Sequence, residues 1–337
     1  MYNNIYIEDF SLERLQTLVS GRKVLLVISK KVEKLYGKKF SELENLYKYV
    51  LADGEKEKNF KNYQRIMNFA LSKGLTRKDV VLAAGGGVVG DLAGFVASTY
   101  MRGIDLIHIP TTLLACVDSS IGGKTAINTD FGKNLVGTFY RPKAVLTDVN
   151  FLKTLDDKQF KTGLGEVVKY AFIEKSCKAE EFFNLINFLG EKFEKIMKRD
   201  MPTLKKMVEI CVALKCSVVE KDEKEADLRR ILNFGHTLGH AIEKFTDYKK
   251  YTHGEAVVAG MIYAFELAYQ NGLIDENYKF SALDLISKFN FRKVEVPKIK
   301  QLLPYMKMDK KATSEGIVFV LPKNFGEVTI QTITAFS

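Results

Sequence analysis

The 337-residue sequence has only four histidines, and three of them lie within one 18-residue window. His236 and His240 are spaced to share one face of a helix, and His253 follows at the predicted start of the next helix. A catalytic zinc site commonly takes two histidines and one carboxylate and leaves a position open. The spacing leaves two interpretations: a shared metal, or hydrogen-bonded core histidines. The fourth histidine, His108, lies in a predicted strand and has no assigned role.

A carboxylate would have to complete such a metal site. The candidates are Glu225, Glu255 and the more distant Glu166. In the segment from residue 165 to 169, Glu166 and Lys169 fall on one helix face at i,i+3. Spacing alone does not choose among the three carboxylates.

A polar face leads into the first two histidines. Its members are Glu225, Arg229, Asn233, His236 and His240. Successive members are 4, 4, 3 and 4 residues apart, so on a helix with ~100° per residue they fall within a sector of roughly 80°. Lys215 would lie at the edge of this sector if the helix is continuous. The same helix would carry Gly235 and Gly239 in its interior, where each costs ~1 kcal/mol relative to Ala. We therefore expect another backbone or a ligand to approach closely there.

A glycine-rich loop spans residues 85–90 and matches the pattern GxGxxG. It follows a predicted strand and precedes a predicted helix that starts near Asp91, a setting in which small residues and a helix N-terminus can bind a pyrophosphate. The usual acidic partner about 20 residues later is missing, since Asp105 comes too early. Asp53 and Glu55, upstream, offer other carboxylates. The alternative interpretation is a tight strand–helix turn.

Lys124 follows two glycines, but the segment is not a Walker A loop. That motif needs a glycine five positions before the Gly of its Gly-Lys pair, and Asp118 occupies that position here. Lys124 is then either an anion contact or a solvated loop lysine.

The pattern of elements places these motifs in two different settings. Residues 1–150 alternate predicted strands (24–28, 79–84, 106–109 and 144–147) with predicted helices (31–51 and 60–73), which indicates parallel βαβ units. Residues 151–337 are mostly helical up to about 289, with a predicted hairpin of residues 316–321 and 327–332. We expect an α/β domain followed by a mainly α-helical domain, with no visible linker between them.

Composition excludes several classes of protein. With 46% hydrophobic and 27% charged residues the chain is of ordinary globular type. The net charge of +10 divides into +6 and +4 between residues 1–150 and 151–337, without the basic stripe of a nucleic-acid binder. No apolar run reaches the ~18 residues of a membrane helix, and no signal peptide is visible. Four cysteines without a CxxC pair predict reduced thiols in a cytoplasmic protein.

These motifs together resemble the 3-dehydroquinate synthase family of sugar phosphate cyclases. The resemblance runs in the family's order from about residue 20 to 330. It is carried by ten segments: 53–58, 85–91, 110–113, 117–128, 132–134, 151–155, 165–170, 225–243, 253–257 and 309–311.

The resemblance implies a Rossmann-like domain (1–150) that binds NAD+ and a mainly helical domain (151–337) that binds substrate and a divalent metal, zinc in the first place and cobalt as the alternative. It further implies an active site in the cleft between them and a homodimer. It assigns the metal to Glu166, His236 and His253. It assigns NAD+ to Asp53, Glu55, Lys58, Gly86, Gly87, Val88, Asp91, Thr111, Thr112, Lys133, Asn134, Phe151 and Thr154.

The implied activity is that of a carbon–oxygen lyase of the shikimate pathway. It converts 3-deoxy-D-arabino-heptulosonate 7-phosphate to 3-dehydroquinate and phosphate through transient oxidation at C5, β-elimination of phosphate, re-reduction, ring opening and intramolecular aldol closure. Glu225 and His240 are the candidates for proton transfer, although the substrate phosphate is an alternative base for the C6 proton. The implied substrate shell comprises Arg102, Asp118, Lys124, Lys169, Lys215, Arg229, Asn233 and either Lys310 or Lys311.

Two related classes are the alternatives to this interpretation. One is a metal- and NAD-dependent polyol or glycerol-1-phosphate dehydrogenase, and the other is a sugar phosphate cyclase that forms a valiolone- or inosose-type product. Around Asn233 and His240 and at the C-terminal lysines, this chain keeps the dehydroquinate pattern.

Overall fold

The computed structural model of the protein describes residues 4–307, 312–313 and 316–334. The chain divides into two units, Met1–Leu155 and Asp156–Ser337. The helices of the first unit are α1 (Leu12–Val19), α2 (Lys30–Tyr36), α3 (Phe60–Ser72) and α4 (Gly87–Thr99). Its strands are β1 (Ile5–Ile7), β2 (Val24–Ser29), β3 (Leu46–Leu51), β4 (Val80–Gly85), β5 (Asp105–Pro110), β6 (Lys124–Thr129), β7 (Gly132–Phe139) and β8 (Ala144–Thr147).

Six of these strands form one sheet in the order β1-β8-β5-β4-β2-β3, and every neighbouring pair is parallel. Strands β2 and β4 are almost wholly buried, because both faces of a parallel sheet are covered by other elements. Leu25 and Val27 belong to the hydrophobic cluster that contains α4, whereas Leu26 and Ile28 belong to the cluster that contains α1. The predicted α/β organisation of this part of the chain is confirmed.

The prediction of one helix over residues 31–51 is wrong in its second half. Helix α2 ends at Tyr36, and Leu46–Leu51 instead forms the edge strand β3, which pairs with β2. Tyr47 and Tyr49 pack on one cluster while Leu46 packs on the other. The segment therefore follows the two-residue period of a strand, which aromatic and β-branched side chains favour.

A two-stranded antiparallel sheet of β6 and β7 was not predicted. Its pairing shifts between Ile127 and Thr129. Polar residues and glycines interrupt the apolar alternation of this segment, so the hairpin lacks the usual pattern of a strand pair.

The second unit contains seven described helices: α5 (Asp157–Ile173), α6 (Leu185–Met197), α7 (Met201–Lys221), α8 (His236–Phe245), α9 (His253–Gln270), α10 (Glu276–Lys288) and α11 (Ile299–Lys307). Its described strands are β9 (Ala312–Thr313), β10 (Gly316–Asn324) and β11 (Glu327–Ile333). They form an antiparallel sheet in the order β11-β10-β9. The mainly helical character and the C-terminal hairpin are both confirmed.

The continuous polar helix predicted through residues 225–240 is wrong. Helix α7 ends at Lys221, a loop and a 3₁₀ turn (Leu228–Asn233) follow, and α8 begins at His236. Glu225 and Gly235 have φ of 61° and 77°, a left-handed conformation that an α-helix cannot contain. Gly235 therefore precedes α8, and only Gly239 lies in a helix interior. Lys215, on α7, does not share a helix with this polar face.

Helices α5, α8 and α9 meet through glycines. A Cβ added at Gly165 in α5 would lie 2.9 Å from the Cα of Gly254 in α9. A Cβ at Gly260 in α9 would lie 1.9 Å from the carbonyl oxygen of Gly235 at the start of α8. Real Cβ atoms essentially never approach other atoms this closely. The backbones of the three helices can therefore touch only while these positions lack side chains.

All four cysteines are free and buried, in accord with the predicted reduced thiols. None of the helices formed by the described residues has both the length and the apolar character needed to cross a membrane.

The Gly260→Ala variant tests the glycine contact. We expect it to lower the free energy of unfolding by about 3 kcal/mol, because the new methyl group must displace α8. Gly190→Ala is the matched control, since Gly190 also lies inside a helix and only the Leu285 Cδ1 atom, at 4.0 Å, is near its added Cβ. This control should be neutral or stabilising by up to ~1 kcal/mol. Urea unfolding followed by circular dichroism measures both, and equal effects would contradict the contact.

His108 predicts a loss of stability in acid. It lies in β5 with 6% of its surface exposed, and burial lowers its pKa to about 4. As the pH falls from about 6.5 to 4, the unfolded chain binds a proton that the folded protein refuses, so unfolding becomes easier. In a His108→Gln variant we expect the pH dependence of the unfolding free energy to flatten by up to about 1.4 kcal/mol per pH unit in this window. Unchanged slopes would show that this imidazole does not contribute.

Candidate functional site

Three side chains from three helices converge in the second unit. Glu166 lies in α5, His236 is the first residue of α8 and His253 is the first residue of α9. The Glu166 Oε1 atom is 3.3 Å from His236 Nε2 and 3.2 Å from His253 Nε2. The three potential ligand atoms all lie within 4.8 Å of one another. One carboxylate and two imidazoles thus meet with their lone-pair atoms facing a common point.

The other ring nitrogen of each histidine has its own partner. His236 Nδ1 lies 3.0 Å from the carbonyl oxygen of Phe234, and His253 Nδ1 lies 3.0 Å from Glu243 Oε2. Because a carbonyl or carboxylate oxygen accepts, each Nδ1 donates, and each Nε2 is turned toward Glu166. Metal-binding histidines are commonly oriented by such partners.

Electrostatics sets the protonation of the group. Burial opposes ionisation of Glu166, but Lys169, whose Nζ lies 2.5 Å from Glu166 Oε2, and His236 hold the pKa of this carboxyl well below its usual range. Burial lowers the pKa of His236 to about 4 against the opposing effect of Glu166. Burial also opposes protonation of His253, but Glu243 and Glu166 together raise its pKa to about 10. A cation binding at His253 Nε2 would therefore displace a proton at neutral pH.

The donor set fits a divalent metal such as zinc, which binds imidazole nitrogen and carboxylate oxygen. Both oxygens of Glu166 are buried, and among the described residues neither makes a hydrogen bond of ordinary geometry. A second group of His240, Glu243 and His253 also lies within 4.8 Å, but there Glu243 already accepts a hydrogen bond from His253 Nδ1. The first group could therefore hold the metal with less rearrangement.

The structure brings Glu166, and neither Glu225 nor Glu255, to the two imidazoles. The Glu255 carboxylate accepts a hydrogen bond from the backbone of Thr252 in a capping box at the start of α9. The Glu225 carboxylate accepts a hydrogen bond of 2.7 Å from Asn233 Nδ2. Both rival carboxylates are engaged elsewhere, which spacing could not show.

His240 flanks the cluster. Its ring centroid lies 5.3 Å from that of His236 and 6.0 Å from that of His253, and the residue is exposed.

The predicted substrate residues of the second unit include two buried cations. Lys215 is buried in α7. Arg229 is 1% exposed, and its guanidinium donates to the Glu223 carbonyl oxygen. Lys310 and Lys311 lie outside the described residues.

Glu243 was missed by the sequence analysis. It lies three residues after His240 and seven after His236, a spacing that places all three on one face of α8. A search for carboxylates at this spacing would have found it.

In the first unit, the glycine loop forms the turn from β4 to α4. Gly86 is the N-cap of α4 and Gly87 its first residue, and a Cβ at Gly86 would lie 2.9 Å from Thr112 Cγ2. The first turn of a helix leaves N–H groups without intrahelical partners, which suits a phosphate. Thr111 precedes Thr112 in the sequence, and its hydroxyl is buried with no hydrogen-bond partner among the residues described. A tight backbone turn and an unsatisfied buried hydroxyl fit a polar ligand such as a dinucleotide. Val88 lies in the first turn of α4.

Several predicted cofactor residues meet around Lys58. Its buried Nζ donates to Asp91 Oδ2 and Asn134 Oδ1. Asp53 instead accepts from the backbone N–H of Lys31, and Glu55 accepts from Asn128 Nδ2. Lys133 lies beside Asn134 in β7.

The remaining residues of the first unit are dispersed. The Thr154 hydroxyl is hydrogen-bonded to the Tyr36 hydroxyl at 2.6 Å. Phe151 is 2% exposed and its ring packs against Tyr36 at 4.7 Å, so only its backbone could reach a cofactor. Three predicted substrate residues lie elsewhere in the unit: Arg102 at a left-handed φ of 66°, Asp118 in the π-helical turn Ala115–Ser119, and the exposed Lys124 at the start of β6.

Comparison with known proteins identifies the family. The family model for the N-terminal part of 3-dehydroquinate synthase matches residues 48–162, and the model for its C-terminal part matches residues 163–312. The chain is also 44% identical over 330 residues to the 3-dehydroquinate synthase of Alkaliphilus metalliredigens (strain QYMF), covering 96% of this chain and 90% of that protein. This chain belongs to the 3-dehydroquinate synthase family. The predicted family is confirmed.

Two solved structures of sugar phosphate cyclases resemble this chain over almost its whole length. A 2-deoxy-scyllo-inosose synthase, solved with carbaglucose-6-phosphate, NAD+ and Co2+, is 25% identical with a TM-score of 0.83, covering 98% of this chain and 93% of its own. ValA, a 2-epi-5-epi-valiolone synthase of Streptomyces hygroscopicus subsp. jinggangensis 5008 with bound NAD+ and Zn2+, is 24% identical with a TM-score of 0.86, covering 99% and 93%. At that identity the second structure supports the 3-dehydroquinate synthase-like fold alone.

Metal content separates the two ligand groups. We expect His253→Ala to lose bound zinc, because both groups contain this residue. Glu166→Gln should also lose zinc, whereas His240→Ala should retain it if Glu166, His236 and His253 are the ligands. Plasma mass spectrometry of the purified, dialysed proteins measures the zinc content. Loss of zinc from His240→Ala with retention in Glu166→Gln would move the metal to the second group.

Proposed function

We propose that this chain is an enzyme that converts 3-deoxy-D-arabino-heptulosonate 7-phosphate to 3-dehydroquinate and phosphate, a carbon–oxygen lyase reaction. The observation that carries the proposal is the 44% identity, over 96% of the chain, with a 3-dehydroquinate synthase. The convergence of Glu166, His236 and His253 supports it, because the ligand atoms of these residues meet inside the matched C-terminal family region.

We assign the cofactors as NAD+ to the first unit and one divalent metal, zinc, to Glu166, His236 and His253 in the second. When bound, the metal supplies Lewis acidity toward substrate hydroxyls, and NAD+ supplies a reversible hydride acceptor. The 2-deoxy-scyllo-inosose synthase structure, which holds NAD+ and Co2+, supports this pairing of cofactors. Residues 1–150 form the NAD-binding domain and residues 151–337 the metal- and substrate-binding domain. We also propose that the enzyme is a cytoplasmic homodimer.

In the second unit, the charged side chains have separate tasks. Lys169 neutralises Glu166 Oε2 and keeps this carboxylate ionised. Lys215 and Arg229 are buried cations of the second unit. They are suited to bind the carboxylate and phosphate of the substrate, with Arg229 able to offer a bidentate contact.

Proton transfer is assigned to His240 and Glu225. The exposed ring of His240 lies beside the metal-ligand imidazoles, so it can exchange protons with solvent and with a substrate held there. The Glu225 carboxylate accepts a hydrogen bond from Asn233 Nδ2, which orients one of its oxygens.

In the first unit, the N-terminus of α4 at Gly86, Gly87 and Val88 would receive the pyrophosphate of NAD+. Thr111 supplies a buried hydroxyl without a described partner. The remaining proposed NAD+ contacts are Asp53, Glu55, Lys58, Asp91, Thr112, Lys133, Asn134, Thr154 and the backbone of Phe151. Arg102, Asp118, Lys124 and one of the two lysines at 310 and 311 complete the proposed substrate shell.

Phosphate release tests the proposed function. The purified protein, with zinc and an amount of NAD+ far below that of substrate, should release one phosphate per heptulosonate phosphate without accumulating NADH. Omission of NAD+ from dialysed enzyme is the control and should abolish turnover. NADH formed in proportion to substrate would instead indicate a dehydrogenase. Phosphate release from a different sugar phosphate alone would indicate another cyclase.

A further inference from the structure

The hairpin of β6 and β7 is irregular at one point. Ile127 pairs with Val136 and Thr129 with Gly132, so a single residue of β6, Asn128, lies opposite three residues of β7. One of those three is Asn134, which has a left-handed φ of 58°. Such interruptions release a residue from the strand ladder and redirect its hydrogen bonds.

Asn128 directs its backbone N–H away from β7. This group donates to the carbonyl oxygen of Lys58 at 2.8 Å, and Asn128 forms an isolated bridge with Asn59. The irregular hairpin is thereby tied to the segment that contains Lys58.

The side chain of Asn128 makes two more hydrogen bonds. Its Nδ2 donates to Glu55 Oε1 at 2.8 Å, and its Oδ1 accepts from the backbone N–H of Asn134 at 3.1 Å. One residue thus contacts three residues that are proposed to bind NAD+: Glu55, Lys58 and Asn134. The site assignment itself does not include Asn128.

Two of these partners, Glu55 and Asn134, are exposed and lie next to or at a residue with positive φ. Glu55 is exposed and follows Gly54, whose φ is 112°. Asn134 is also exposed. Regular secondary structure alone does not fix such residues, and holding binding groups in place beforehand reduces the entropy lost on binding.

The amide of Asn128 is chemically specific for this task. It donates through nitrogen to a carboxylate and accepts through oxygen from a backbone N–H at the same time. An aspartate would place a second carboxylate against Glu55, and an apolar residue would provide neither bond.

We propose that Asn128 is a positioning residue for NAD+ binding, which holds Glu55, Lys58 and Asn134 in one arrangement before the cofactor arrives. This inference rests on the proposed function, since it presumes that the first unit binds NAD+.

Calorimetric titration of the zinc-loaded protein with NAD+ tests the proposal. We expect Asn128→Ala to raise the Kd for NAD+ about tenfold, because two side-chain hydrogen bonds are lost, one of them to a carboxylate. Asn128→Asp should raise it at least as much, because its carboxylate repels Glu55. The zinc content, held by residues of the second unit, should stay unchanged in both variants.

Asn59→Ala is the matched control. Asn59 occupies the same bridge, but its side chain caps α3 by accepting from the Asn62 N–H and donates to the Lys56 carbonyl oxygen. Its loss should lower the melting temperature without raising the Kd for NAD+ more than twofold. A double-mutant cycle with Glu55→Gln should be non-additive if Asn128 acts through Glu55.

The outcomes separate the two proposals. If the unaltered protein binds no NAD+, the proposed function fails. If it binds NAD+ and Asn128→Ala binds equally well, the positioning role is wrong while the proposed function stands. If Asn59→Ala and Asn128→Ala weaken binding equally and in proportion to lost thermal stability, Asn128 has a structural role only, which also overturns the inference.

Discussion

The contact between helix backbones at glycine is the constraint on which the candidate site depends. Each proposed metal ligand is next to a glycine that lies in such a contact: Glu166 follows Gly165, His236 follows Gly235 and His253 precedes Gly254. A side chain on any of these glycines would push two helices apart by more than the tolerance of a metal–ligand distance. The close packing of α5, α8 and α9 therefore sets the spacing of the proposed ligand atoms.

The close packing of the three helices also buries the charged carboxylate of Glu166, and neighbouring side chains compensate its charge. Glu166 is 1% exposed, and a buried carboxylate without compensation would be very costly. Lys169 pairs with one of its oxygens and two imidazoles approach the other. Glu243 in turn balances the proton on His253. Opposite charges alternate through the cluster, and a divalent cation can replace the proton without leaving the carboxylates uncompensated.

The sequence predicted elements that are set by local patterns, but not those that are set by contacts between residues distant in sequence. Val24–Ser29 and Val80–Gly85 are runs of apolar residues, so their strands were visible locally. Leu46–Leu51 was assigned to a helix because its apolar residues fit both periods, and only pairing with β2 decides between them. The helix predicted through 225–240 is interrupted by left-handed backbone at Glu225 and Gly235. At Gly235 this backbone packs closely against Val257 and Met261 of α9, a tertiary contact that the local pattern does not reveal. Glu166 was named as a ligand through family resemblance, since no local pattern connects it to His236 and His253, which lie 70 and 87 residues later. Asn128 was missed because its contacts with Glu55 and Lys58 join positions that are distant in sequence. Glu243 did carry a local signal, its helical spacing from His236 and His240.

The adjacency of ligand and glycine also restricts how this enzyme can evolve. Most helix positions can exchange one side chain for another and shift the backbone by a few tenths of an ångström. At the dipeptides 165–166, 235–236 and 253–254, such a shift would move an atom of a proposed metal ligand by a similar amount. Substitutions there would be selected against through metal binding even when the chain still folds. Changes that preserve the proposed metal group are therefore expected in the side chains around it and not at these three glycines.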